Sequence, residues 1–213
     1  MAKLTAPLFS LRASGTIGEA LTYAAWKGIS YVRTRVIPNN PQSANQTAVR
    51  EVFKTLNNIW NRAPQLMRDP WTANASGKAY TDRNKFLAIN VPLLQGDADL
   101  QDLMFATQTN GALTPAISSV TPGVGTLTVV GTIPTPPVGW TAVGLVAAAI
   151  LDGDPNPAIA PTPVANEDQT SPYSILLSGL SAALHVVGVW AEFTDAQGVT
   201  RYSDSALSTG TPT

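Results

Sequence analysis

Residues 171–207 read SPYSILLSGLSAALHVVGVWAEFTDAQGVTRYSDSAL. Three short β runs are legible in them: PYSILLSGL (172–180), LHVVGVWAEF (184–193) and VTRYSDSAL (199–207), with DAQG (195–198) as the hairpin turn between the last two. In the middle run Val187, Val189, Ala191 and Phe193 share one face. A register change of one residue would turn all four outward, so the pattern leaves open which face is the core. Upstream, TLTVVGTI (126–133) and GWTAVGLVAAAIL (139–151) add two more runs between Pro/Gly turns. Regularly spaced short strands of this kind predict an all-β sandwich for the C-terminal half.

The N-terminal half has a different grammar. LFSLRAS (8–14) alternates and stops at GTIG (15–18), whose glycines suit a tight turn. ALTYAAWKG (20–28) and ISYVRTRVI (29–37) predict two strands joined at Lys27-Gly28. In the second, Ile29, Tyr31 and Arg33 alternate with Ser30, Val32 and Thr34, and neither face is cleanly apolar. That predicts a sheet edge completed by another chain. PNNP (38–41) ends it, because proline fixes φ and restricts the residue before it. Ser43 and Gln46 have capping-box spacing, and Val49, Val52, Phe53, Leu56, Ile59 and Trp60 form the stripe of a helix that Pro64 stops. MRDPWTANASGKAY (67–80) reads as turns, and YTDRNKFLAIN (80–90) as a second helix ended by Pro92. A short helical turn is expected before residue 110. Trp26, Trp60 and Trp71 are expected to share one small core between hairpin and helices.

Charge divides the chain at the same place as composition. Residues 1–110 hold twelve Lys/Arg against seven acids, a net +5; residues 111–213 hold Arg201 alone against seven acids, a net −6. We therefore place a boundary near Asn110, giving an α+β module over 1–110 and a β-sandwich over 111–213. Charged residues make up only 13% of the chain, about half the usual fraction, which suits a surface packed against something else. The absence of cysteine excludes disulfides and thiolate metal sites and favours assembly in a reducing cytoplasm. No signal peptide is read at the N-terminus, and the longest apolar run, residues 140–151, is too short to span a bilayer.

Catalytic chemistry finds little support. The single histidine, His185, lies in an apolar strand, away from any evident base and orienter. Asp97, Asp99 and Asp102 in GDADLQD lack the loop glycine and distal glutamate of an EF-hand and read as turn carboxylates. Asp152 and Asp154 suit a Gly/Pro turn, and TPGVGTL (121–127) has no phosphate-loop lysine. Arg33 and Arg35 beside Tyr31 could follow phosphates, but the positive charge is scattered and no nucleic-acid module is present. No enzyme, cofactor, metal, membrane or nucleic-acid partner is expected.

Two resemblances sharpen the expectation. Residues 171–207 resemble the last three strands of a fibronectin-type-III or related immunoglobulin-like domain, although His185 or Val186 stands near the place of that family's corner tyrosine. Residues 8–90 resemble a group of proteins from tailed bacteriophages and prophages. The shared features are Gly15 and Gly18, Trp26 to Gly28, Tyr31 to Arg33, Asn40 to Ser43, and Gln46 with Val49, Arg50 and Phe53. The resemblance implies a non-enzymatic structural protein of the virion, assembled in the host cytoplasm, with capsid decoration as the first placement and neck or tail attachment as the second. Its partners would be a major capsid, neck or tail protein and further copies of itself. Trp26, Tyr31, Arg33, Arg35, Arg50 and Lys54 are the candidate interaction residues. The alternative is a host-surface or carbohydrate-binding module, which Trp140, Tyr173 or Tyr202 exposed on one face would favour.

Overall fold

The structure, a computed structural model, describes residues 2–3, 14–37, 39–40, 42–95, 100–109, 113–133, 135–152, 162–165 and 172–213. Within them the chain is mixed α+β, with three α-helices and twelve strands in three antiparallel sheets. It divides into two compact units, residues 1–42 and residues 43–213.

The first unit is a four-stranded sheet in the order β1-β4-β3-β2, built from β1 (Ala2–Lys3), β2 (Gly15–Ile17), β3 (Leu21–Trp26) and β4 (Ile29–Thr34). The β3–β4 hairpin closes through a two-residue turn in which Lys27 and Gly28 both have positive φ (48° and 80°). That is the primed turn whose twist matches the strands, and glycine makes its second position inexpensive. Strand β4 is not the predicted sheet edge. Its free side pairs with β1, Ala2 opposite Val32, through a two-residue strand too short to show a periodicity. The turn expected at 15–18 lies three residues later, at 18–20, because Gly15–Ile17 pair with β3. The stretch LFSLRA (8–13) lies outside the described residues.

In the second unit, Ser43 caps α1 (Ala44–Arg62), its Oγ accepting the Gln46 N–H at 3.4 Å. Helix α2 (Gln65–Ala75) replaces the expected turns, because burial of Met67, Pro70 and Trp71 outweighs the weak helix propensity of that stretch. Helix α3 (Asp82–Leu94) runs through Pro92 instead of ending before it. Pro92 and Ala88 are both exposed, so the Ala88 carbonyl that loses its N–H partner faces water. A 3-10 turn at Leu100–Asp102 follows.

Two further sheets follow. One is β5 (Ala116–Gly123), β6 (Thr126–Thr132) and β9 (Tyr173–Ser178), in the order β5-β6-β9. The other is ordered β11-β10-β7-β8, from β7 (Thr141–Leu151), β8 (Thr162–Ala165), β10 (His185–Thr194) and β11 (Thr200–Tyr202), with β12 (Ala206–Gly210) also on β10. The expected strand 199–207 is thus split in two. Between the halves, serine hydroxyls stand in for ladder carbonyls: Ser203 Oγ accepts the Ala191 N–H at 2.8 Å and Ser205 Oγ the Phe105 N–H at 3.1 Å.

The central strands β7 and β10 are covered on both sides. Leu145, Ala147 and Ala149 with Val187, Val189, Ala191 and Phe193 form one core with Leu127, Val129, Ile175 and Leu177 of the facing sheet. Val146, Ala148 and Ile150 with Val186 and Trp190 form a second core with Leu56, Ile59, Trp60, Met67, Trp71 and Phe86 of the helices. Strands buried on both faces read as continuous apolar runs. This resolves the ambiguity in the sequence: both faces of β10 are core.

The expected boundary near Asn110 is therefore not where the chain divides. The segment before it is fixed to the strands: Trp71 Nε1 donates to the Phe105 carbonyl at 2.9 Å, and the Thr109 N–H to the Tyr202 carbonyl at 2.8 Å. Tyr202 N–H returns to Thr109 Oγ1 at 2.8 Å. The helices pack on one another and on the sheet in one shared core. Trp60 and Trp71 meet there around Phe86, with ring centroids 5.2 Å apart in each pair. Trp26 does not join them. It is 66% exposed.

Candidate interaction surface

Residues 14–42 contain no buried side chain among those described. A sheet without a covered face lacks the burial that normally offsets its ordering. The pairing register sorts its side chains into two unlike faces. Residues directly opposite one another across antiparallel strands lie on the same side, so Tyr23–Val32, Ala25–Ser30 and Leu21–Thr34 share one face, joined by Ile17 opposite Leu21. Thr22–Arg33, Ala24–Tyr31 and Trp26–Ile29 share the other, joined by Thr16 opposite Thr22. The first face carries no charged residue from β2, β3 or β4. The second carries the aromatic pair and the guanidinium.

Three of the predicted interaction residues, Trp26, Tyr31 and Arg33, are thus brought together on one face. Lys27, in the turn, adds a cation 4.9 Å from the centroid of the Trp26 ring. Arg35 lies beyond the end of β4 and pairs with Glu19 at 3.4 Å, an exposed contact of little energetic weight. The alternation of Arg33 and Arg35 along one strand is therefore not realised. Arg50 and Lys54 belong to the second unit, on the exposed side of α1. Between them Phe53, expected in the helix stripe, is 40% exposed, and Thr55 is buried in its stead. The helix therefore shows its own small patch of two cations flanking an aromatic ring.

Sequence reasoning missed the apolar face of the small sheet. The sequence places Ile17 in a turn and Leu21 in a strand, and only the register sets them beside Tyr23 and Val32. Val36 and Ile37, which follow β4, are also largely exposed. Alternation in ALTYAAW was the available signal, and its alanines and threonine blurred it.

Elsewhere the polar groups have structural duties. His185 is buried and its Nδ1 donates to the Ala183 carbonyl at 2.7 Å. Asp152 accepts the Leu100 N–H at 2.9 Å and so holds the 3-10 turn; Asp97, Asp99 and Asp154 lie outside the described residues. Among the described residues no group of three or more His, Asp or Glu is placed to hold a metal ion, and no helix is long and apolar enough to cross a membrane. A cavity of about 380 Å³ is lined by Asn74, Ser76, Lys78, Thr109, Thr200 and Arg201. Its guanidinium is already committed, since Arg201 Nη2 lies 2.6 Å from Asp195 Oδ2. The aromatic platform that would favour carbohydrate binding is not formed by the residues named for it. Tyr173 and Tyr202 are buried, and Trp140 packs against Phe193 with ring centroids 6.1 Å apart.

Two carboxyls on the strand framework are shifted in opposite directions. Burial, and then the negative charge of Asp69, push Glu192 above the usual carboxyl range. Asp195 is held below it, first by the Val199 N–H, then, against the opposing effect of burial, by Arg201 and the Gln197 N–H. Burial, followed by Glu192 and Asp69, also raises the Tyr202 phenol far above its ordinary value.

Compared with known proteins, the chain matches no protein-family model and no curated protein.

Proposed function

We propose that the chain is a non-enzymatic structural protein of a tailed-bacteriophage virion, a capsid decoration protein anchored by its N-terminal sheet, with the body of residues 43–213 projecting. One observation carries the reading. A body with two cores of its own is joined to a four-stranded sheet with no buried side chain among the described residues 14–42, and such a sheet is completed by what it docks on. Charge agrees with this assignment. Residues 1–42 hold five Lys/Arg against one acid, net +4, while residues 43–213 are net −5. The resemblance of residues 8–90 to phage proteins supplies the setting.

We read the two facing sheets of the body as an immunoglobulin-like sandwich. Counting from β5, the first, second and fifth strands form one sheet and the third, fourth, sixth and seventh the other, with β11 and β12 together in the seventh place. The fourth strand, β8, pairs with the third as C′ does in variable-type domains, and not with the first sheet as D does in constant-type ones. The helical layer over the outer face of the β7–β10 sheet is an addition to that plan.

The test is attachment to purified undecorated particles. An acidic patch on the shell would meet Arg33 and Lys27, with Trp26 and Tyr31 as apolar anchors, because large aromatic residues dominate interface energy and exposed charges chiefly steer. Arg33→Glu should slow attachment, and Trp26→Ala should speed release by roughly 10-fold or more. High salt should reproduce the first effect only in part, since screening acts on exposed charges over about 10 Å at 0.1 M. Full occupancy by a protein lacking residues 1–42 would remove the anchor from this sheet.

A further inference from the structure

We infer that the apolar face of the N-terminal sheet is closed by the same face of a second copy of the chain, leaving the two basic aromatic faces outermost. The inference rests on reading this sheet as a docking unit and names which face meets which partner.

The argument begins with charge. Glu19 and Lys27 sit in turns, Arg35 follows β4, and Arg33 projects from the opposite side. The face made by Ile17, Leu21, Tyr23, Ala25 and Val32 therefore has no ionic group from β2, β3 or β4, and its polar groups are the hydroxyls of Tyr23, Ser30 and Thr34. A twofold contact sets a surface patch against its own copy. Self-contact through the Arg33 face would oppose like charges in a unit of net +4. The apolar face incurs no such repulsion and is self-complementary. It also still exposes what such a contact would cover, with Ile17 47% and Leu21 38% exposed.

Size sets the strength. Strands about 4.8 Å apart and about 3.3 Å per residue give a four-stranded face of roughly 300 Å², given the short β1 and β2. Two copies would bury roughly 600–800 Å², below the roughly 1,200 Å² of self-sufficient interfaces. The contact is therefore reversible, with a dissociation constant on the order of micromolar or weaker, and is reinforced where copies are held close together.

The full chain has no cysteine, so single thiols can report the geometry without background. Sedimentation velocity from about 1 to 100 μM should show a monomer–dimer equilibrium. Under mild oxidation Val32→Cys, near the centre of the apolar face, should give a disulfide-linked dimer, whereas Thr22→Cys on the other face should not. Leu21→Arg with Val32→Arg should raise the dissociation constant at least about 100-fold, because it buries unpaired like charges. Arg33→Glu should leave the equilibrium unchanged. Tryptophan fluorescence from the buried Trp60, Trp71 and Trp190 checks that the body of each variant is folded. A monomer at every concentration, or equal cross-linking from Thr22→Cys, overturns the inference. A monomer that still attaches to particles through Arg33 would sink this inference and leave the anchoring role standing. A dimer that ignores particles would do the reverse.

Discussion

Asn90 is the residue on which the joint between helix and loop turns. Fully buried in α3, it accepts the Met104 N–H through Oδ1 at 2.7 Å and donates through Nδ2 to the Met104 carbonyl at 3.2 Å and the Phe86 carbonyl at 3.1 Å. One side-chain amide thus satisfies both backbone groups of a residue outside any ladder. Asn90→Leu keeps the branching of the side chain but orphans those groups, and should lower stability by about 2–3 kcal/mol in urea titration. A loss within about 0.5 kcal/mol would show that water replaces the amide. The shifted carboxyls give a pH test. Glu192 holds its proton more tightly in the folded chain, so its contribution is full below the ordinary value of 4.5 and is lost as pH rises through the raised one. Glu192→Gln should therefore be more stable than the parent at pH 7 and equal to it near pH 4. Asp195 works the other way: its contribution is present above the ordinary 3.8 and fades as pH falls through the lowered value. Asp195→Asn should lose its deficit relative to the parent in acid. None of these roles was visible in the sequence, because each depends on which backbone groups a distant segment leaves unpaired.

At the scale of elements, Gly188 records how closely the 100–109 segment approaches the sheet. A Cβ there would collide with the Phe105 ring. Gly188→Ala should cost about 1–3 kcal/mol alone, and less in a Phe105→Ala background, which removes the ring and leaves only the residue-105 Cβ close. A double-mutant cycle reads the difference. Helix α1, the Lys27-Gly28 hairpin and the cores of β6, β7, β9 and β10 were legible because each carries its own periodicity or turn chemistry. Strands β1, β5 and β8 were not. The first is two residues long, β5 is polar and ends in Pro122-Gly123, and β8 contains Pro163. The break near Asn110 was real as a change in charge and misleading as a boundary, since charge describes the surface while Phe105 and Trp71 describe the core. Of the candidate residues, Trp26, Tyr31 and Arg33 could be paired from alternation alone, whereas the opposite apolar face required the β2–β3 register. Proteolysis distinguishes the two boundaries. Subtilisin, which needs no basic residue, should cut at the exposed residues 35–37 and spare 103–109, leaving a fragment that begins near residue 36.

The whole molecule joins a basic sheet with no buried side chain among the described residues 14–42 to an acidic body with two cores. Because both cores lie within residues 43–213, removal of residues 1–42 should leave the unfolding midpoint of the body within a few degrees of the parent in a calorimetric scan. A fall much larger than that would mean the body depends on the sheet for its packing. The doubly covered β7 and β10 also bear on how such a gene can be reassembled. A recombination breakpoint near codon 110 would hand each descendant half of a buried surface, with helices lacking their wall and strands lacking their cover. A breakpoint near codon 43 cuts neither of these two cores. Exchange at that point could give one body a new anchor, or one anchor a new body, without either having to relearn how to fold.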